Sequence, residues 1–576
     1  MPRNALETVI ENFQYDVTHL EHEGNDSKLH LNVNVLFDFI QMLYQKASFH
    51  HLTEITAIDY LEYDNAPVNT RFALLYILRH ENFVNTLTIK VPLKDIAKGA
   101  PSILPLFKGA SWLEREIWDQ YGIHFEGHPN LRRLLNHHQF IGHPLRRDYP
   151  ITKAQPCTMT DDLVDQMNER LKEKGLLGKD ESCTNEELLN KYMILNLGPS
   201  HPASHGTIRT MCALDGETII AAVSEIGYLH RGFEKSCENH TYNQIIPYTD
   251  RLIYLSAITN NVGFVKTAEE MLGVTVPDRA IYIRVILMEL SRIIDHLVCL
   301  AANLVDMGAL TNYWYLFNPK EKVNSLLSKL TGARLTNSYM RVGGMSHDLY
   351  DGFEADLEQC LKEVEKGMSD TLILIEHNRI FHDRTQNIAS VSAKEALNRS
   401  FCGPNLRASG VAYDMRISDP YYYYDSFDFD MVLGSQGDIY DRLMVRFEEI
   451  RQSIRIIRQA VPRLPDGPVN VEDHGIILPE KQKVYSSIEG AMNQFKLVFE
   501  GVKIPKGEHY SAVEAPNGEL GFYIVSDGSG TPYKVKVRAP SLMMMQNLPD
   551  LVEGTMIADA VLALGSINII AGELDR

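Results

Sequence analysis

The chain has 576 residues, 44% hydrophobic and 23% charged, with a formal net charge of −19; that is enough for two to four domains and too apolar for disorder. The acidic balance argues against nucleic acid as the main partner and offers no attraction to anionic lipid headgroups. No secretory leader is visible in MPRNALETVIENF, no uncharged apolar run reaches the roughly 18–20 residues of a membrane helix, and the seven scattered cysteines include no CxxC pair, which points to a reducing, cytoplasmic setting and away from disulfides or a self-contained Zn or Fe–S site.

The first 150 residues read as α+β. Segment 29–35 (LHLNVNV) alternates apolar and polar residues as a half-buried strand does, 72–78 and 86–91 are further strands, and 36–47 has helical periodicity. A loop rich in Arg, His and Pro follows at 127–150. Residues 151–190 read as a helical linker. Within it, 161–174 carries Leu163, Met167 and Leu171 at four-residue spacing and stops at Gly175, and Thr184 with Glu187 forms a capping box for a second short helix. From 193 the chain opens strand, turn, strand (MILNL, GPSHPASHG, TIRTMCAL). Long helical patterns follow at 250–272, 278–307, 352–379 and 438–461, with strand signals again at 521–526 and 533–537. This larger part is mainly helical with β additions.

Several clusters could carry chemistry. EREIWDQY (114–121) precedes two Gly-His-Pro turns, each followed by an arginine pair, Arg132-Arg133 and Arg146-Arg147. Glu114, Arg115, Glu116 and Asp119 suit a solvated or interfacial charge network with those arginines. A metal pair of His128 and His143 is the alternative. The turn GPSHPASHG holds His201 and His205 between two strands, where loops often carry function. On 278–307, Arg292, His296, Cys299, Asn303 and Asp306 recur at spacings of 4, 3, 4 and 3 on one face of an otherwise apolar half. That face is either the wet side of an amphipathic helix or a polar seam lining an internal site, in which Asp306 needs a cationic or hydrogen-bonding partner. Periodicity leaves both open.

Long blocks of the chain resemble two components of respiratory complex I. EREIWDQYGIHFEGHPNLRRLL and GHPLRRDYP are similar to the 30-kDa-type (C) component. NLGPSHPASHG, GYLHRGFEK, PYTDRLIY, YIRVILMEL, GPNLRASGVAYDMR, GDIYDRLMVR and GELDR are similar, in order, to the 49-kDa-type (D) component. The resemblance implies the fused C/D form found in some bacteria: an α+β C domain (1–150), a helical linker (151–190) and a mainly α D domain with β additions (191–576) resembling the [NiFe] hydrogenase large subunit. It implies a share in ion-translocating NADH:quinone oxidoreduction, with quinone as substrate and no metal or Fe–S cluster on this chain's own ligands. The implied neighbours are the B and I Fe–S subunits, the H membrane subunit at the quinone entrance and the G subunit of the peripheral arm, on the cytoplasmic side of a bacterial inner membrane.

Carried over residue by residue, the resemblance puts the quinone headgroup on His205 and Tyr254, pairs His205 with Asp306, and sets Arg231 and Arg251 near the [4Fe–4S] cluster of the B subunit. Three positions depart from the family pattern: Ile253 replaces an acid, Lys320 an arginine, and Thr336 a histidine near that cluster, which leaves no titrating group at that position; the alternative is that His347 takes over the role. Two rivals remain. A nickel hydrogenase needs two CxxC pairs, and here Cys237 stands alone in its block and the terminal block has none, so thiolate ligation of nickel is excluded. A purely structural scaffold is the other.

Overall fold

The computed structural model describes residues 2–576 apart from 151, 157–161, 179–180 and 474. Its first part is a five-stranded sheet in the order Val17–Glu23, Asp26–Leu31, Thr86–Leu93, Phe72–Arg79, His51–Asp59. Only the pairing of Asp26–Leu31 with Thr86–Leu93 is parallel. The strand expected to run to 35 stops at Leu31, because the Asn32 side chain accepts the Asn34 N–H and opens a 3-10 turn, Val33–Val35. His51–Asp59 is wholly buried, yet five of its nine residues are polar or charged, so it shows neither the alternation of a half-buried strand nor the apolar run of a doubly covered one. Helix Ala110–Tyr121 and the distant strand Lys534–Arg538 both pack against it.

The linker is a packed element. Helix Leu163–Glu173 lays Leu163, Met167 and Leu171 on a three-stranded antiparallel sheet, where they meet Met211, Ala213, Ala221 and Val223. That sheet has the order Thr218–Glu225, Arg209–Asp215, Met193–Leu197. The Thr184–Glu187 capping box forms and starts helix Asn185–Lys191.

Helix Asp278–Asp306 is the axis of the larger part, flanked by Leu310–Thr331, Ile439–Ala460, Ala257–Leu272 and Ile557–Ile567. Two expected helices are divided. The 250–272 pattern becomes a 3-10 turn, Tyr254–Ser256, followed by helix Ala257–Leu272. The 352–379 pattern ends at Ile375, and Asn378 caps a new helix, Arg379–Thr385, by accepting the N–H groups of Ile380 and Phe381. Strands Gly507–Ala515, Gly518–Ser526 and Lys534–Arg538 form a third, antiparallel sheet.

One hydrophobic core runs through both parts, and buried ion pairs join them. The expected network on helix Ala110–Tyr121 is not solvated and mostly does not use the nearby arginines. Of the four charged residues only Asp119 pairs with one of them, Arg133 at 2.8 Å, and it also accepts the N–H groups of Leu134, Leu135 and Asn136. Glu114 accepts Ser102 Oγ–H and Ile103 N–H. Arg115 donates to the carbonyls of Arg132 and Arg133. Glu116 reaches across to Lys536 and Arg576, each at 2.5 Å.

A second bridge centres on Glu519, buried against Arg79 at 2.9 Å and the hydroxyls of Tyr413 and Tyr510. Burial opposes its charge, but Arg79 and Arg538 outweigh burial and hold its pKa at about 2, below the ordinary 4.5. A depressed carboxylate pKa stabilises the fold fully above 4.5, and the contribution fades as pH falls toward 2. The destabilisation caused by Glu519→Gln should therefore be large at neutral pH and shrink steadily below 4.5. Thermal unfolding of both proteins across that range measures it; a pH-independent difference would remove Glu519 from the acid response.

Candidate active site around His205, Asp306 and Tyr254

His205 sits in the loop between strands Met193–Leu197 and Arg209–Asp215, at the end of a 3-10 turn, Pro202–Ser204. His201 builds that turn: its Nδ1 accepts the Ala203 N–H at 3.1 Å, and its carbonyl accepts the Ser204 hydroxyl at 2.6 Å. His205 itself is left-handed, φ +51°, a conformation costing a non-glycine residue about 1–2 kcal/mol and found where a side chain must be aimed. Its Nε2 meets Asp306 Oδ2 at 2.8 Å, and the two side chains remain 19% and 22% exposed, shielded yet within reach of a ligand. Asp306 is the last residue of helix Asp278–Asp306.

The polar face leading to Asp306 is not a wet side. Arg292, His296, Cys299 and Asn303 are all buried. Arg292 donates to the carbonyls of Glu514 and Ala515, His296 Nε2 lies 2.8 Å from Glu449 Oε2, and Asn303 donates to the Cys299 carbonyl. The face is an internal seam embedded in charge that the sequence reading did not single out: Glu289, Arg407, Asp414, Arg416, Glu449 and Glu514. Burial disfavours the Glu449 carboxylate, yet Arg407 and His296 hold it well below the ordinary range. One signal was available. Arg442, Arg446 and Glu449 repeat the same 4–3 rhythm on the helix that packs beside the seam.

Tyr254 heads its 3-10 turn, which packs on the long helix, and is 44% exposed. Its hydroxyl makes no hydrogen bond among the described residues. Burial, and then the Asp295 carboxylate, push its pKa up. The segment 557–576 buttresses both sides of the site. A Cβ on Gly565 would lie 2.7 Å from Asn303 Oδ1 and 3.2 Å from His205 Cε1, and one on Gly572 2.2 Å from the Arg251 carbonyl. Glycine at 565 is what lets its helix come this close to His205.

Arg231 and Arg251 line one cavity of about 320 Å³ together with Phe233, Tyr248, Leu252 and Arg576. Arg251 lies 3.5 Å from Asp250, whereas Arg231 is exposed and has no ion pair or hydrogen bond among the described residues. At the three departures, Ile253 is wholly buried in the apolar core, and Lys320 pairs with Glu321 at 2.7 Å while lying over the Phe317 ring. Thr336 is partly exposed with φ +52° in the segment after helix Leu310–Thr331. His347 has its Nε2 2.7 Å from the Leu330 carbonyl and its ring edge-on to Tyr339. His128 and His143 each have one ring nitrogen on a backbone carbonyl, of Ser111 and Asp119 respectively. No group of three or more His, Cys, Asp or Glu able to hold a metal occurs among the described residues.

Two family models match the chain: respiratory-chain NADH dehydrogenase, 30 Kd subunit, over residues 29–155, and the 49 Kd subunit over residues 306–576. The chain is 46% identical over 567 residues to the NADH-quinone oxidoreductase C/D subunit of Bdellovibrio bacteriovorus, covering 98% of this chain and 97% of that protein. To the C/D 2 subunit of Aquifex aeolicus it is 36% identical over 589 residues, covering 100% and 99%. The D subunit of Myxococcus xanthus is 49% identical over 396 residues, covering 69% of this chain and 95% of that protein.

Proposed function

Because the chain belongs to the C/D subunit family of NADH-quinone oxidoreductase, and is thus one component of the NADH:quinone oxidoreductase complex, we propose that His205, Asp306 and Tyr254 form the wall on which the quinone headgroup is reduced. The observation that carries this reading is the 2.8 Å contact between His205 Nε2 and Asp306 Oδ2, made across 101 residues of sequence and left partly open.

Reduction adds two electrons and two protons to the quinone, one proton to each carbonyl oxygen. With Nε2 held by the Asp306 carboxylate, Nδ1 is the nitrogen left for the headgroup. It can donate only when the ring carries two protons, a cation that Asp306 balances. The free Tyr254 hydroxyl serves the second carbonyl. In this reading the electrons come from the terminal [4Fe–4S] cluster of the B subunit, and Arg231 and Arg251 set positive charge beside it, favouring its reduced state. Quinone enters by the H membrane subunit, the I and G subunits are further neighbours, and the reduction is coupled to ion translocation.

The complex holds the chain peripherally, since no helix among the described residues is long and apolar enough to cross a membrane; the cytoplasmic face of a bacterial inner membrane is the side proposed. The division into 1–150, 151–190 and 191–576, and a hydrogenase-like fold for the last, go with the same reading.

Asp306→Asn tests the pair, because it keeps the shape and removes the charge. Losing one charge-assisted hydrogen bond of about 1.5–3 kcal/mol should lower NADH:quinone turnover roughly 10- to 150-fold. NADH oxidation by an artificial acceptor upstream should persist. Unchanged quinone turnover would overturn the assignment. The chain is also proposed to supply no cluster ligands, so once isolated it should show no Fe–S absorption; an intrinsic cluster spectrum would contradict that.

A further inference from the structure

Helix Ile488–Phe499 is built inside out. Of its twelve residues only Gly490 and Leu497 are buried. Ile488, Met492, Phe495 and Phe499, spaced 4, 3 and 4 apart, face outward with exposures of 81%, 52%, 62% and 71%. Phe495 and Phe499 stack on each other at 4.4 Å, and Val498 and the neighbouring Tyr485 widen the patch. The six exposed faces amount to roughly 800 Å² at about 200 Å² per large side chain. That exceeds the largest apolar patch of ordinary monomers and matches the roughly 800 Å² one partner contributes to a stable interface.

We propose that this helix is a docking surface for another subunit of the same complex, a helical element with an apolar row and an acidic rim. The spacing is that of a heptad seam, which packs knobs into the holes of a facing helix. The rim is locally basic: residues 480–506 carry five lysines against three glutamates, in a chain of net charge −19. A lipid surface fits less well. Membrane-lying helices carry a polar face rich in Lys and Arg, whereas this helix has one lysine, Lys496, and one glutamate, Glu489.

The test uses the assembled complex. Met492→Glu with Phe495→Glu should lower the yield of intact complex about tenfold or more, as loss of interface anchors does, while the chain itself keeps its unfolding midpoint. Assembly at the parental yield would overturn the proposal. Should the double variant lose its fold, a photoreactive benzoylphenylalanine placed at 495 decides. The result expected is a covalent adduct with an apolar, acid-flanked helical peptide of another subunit of the complex. An adduct with a second copy of this chain, an adduct with lipid, or no adduct would each overturn it.

Discussion

Replacing Tyr254 by phenylalanine should remove most quinone reduction while leaving NADH oxidation by an artificial upstream acceptor intact. The substitution keeps the ring and deletes one oxygen. Because the hydroxyl has no hydrogen-bond partner among the described residues and the side chain is 44% exposed, no internal bond is broken and the fold should be untouched. What disappears is the hydroxyl proposed to donate to the second quinone carbonyl. A lost hydrogen bond to a group that becomes charged costs about 1.5–3 kcal/mol, or roughly 10- to 150-fold in rate, and proton donation adds to it. Membranes assayed with NADH and quinone, beside the same membranes with an upstream acceptor, make the comparison. Equal quinone turnover in variant and parent would take Tyr254 out of the site, and equal losses in both assays would mean a defect of assembly instead.

The largest loss of stability should follow Glu116→Ala. Glu116 holds two buried cations, Lys536 and Arg576, each at 2.5 Å. Burial works against its charge, but Arg576 and Lys536 prevail and keep it ionised below the ordinary carboxylate range. Removing it leaves both cations in the core, with Glu234 and Glu54 at 3.5 Å and 3.9 Å from Lys536 as the nearest remaining carboxylates. Breaking a buried pair in this way typically costs about 3–5 kcal/mol. Glu358, paired with Arg458 on the surface, supplies the control, since exposed pairs are worth about 0–1 kcal/mol. Denaturant unfolding of both variants should show the Glu116 effect several times larger. Equal shifts would mean that the two parts are not held together by this bridge.

Much was legible in the residues alone. The strand signals at 72–78 and 86–91, the four-residue rhythm of Leu163, Met167 and Leu171, and the Thr184–Glu187 box all depend on near neighbours, and the structure has each of them. So does the 278–307 helix, to within one residue. The family blocks are local strings as well, and the comparisons agree with them. Element breaks were harder. Asn32 and Asn378 end or restart elements by bonding their own backbone, an interaction that competes with periodicity without altering it.

Only the tertiary structure decided what each face meets. Periodicity assigns Arg292, His296, Asn303 and Asp306 to one side of a helix, but their neighbours come from Glu449, from Glu514 and from His205, 101 residues away from Asp306. The partners of Glu116 lie 420 and 460 residues along the chain, far beyond the adjacent arginines that the sequence offered. His51–Asp59 hid because five of its nine residues (His51, Thr53, Glu54, Thr56 and Asp59) are polar or charged and yet buried, so neither an apolar run nor a clean alternation marks it. The apolar row of Ile488–Phe499 has the pattern of an ordinary core helix and yet points outward. A sequence specifies local geometry through interactions a few residues long, whereas burial is a property of whatever the rest of the chain, or another subunit, brings to that face.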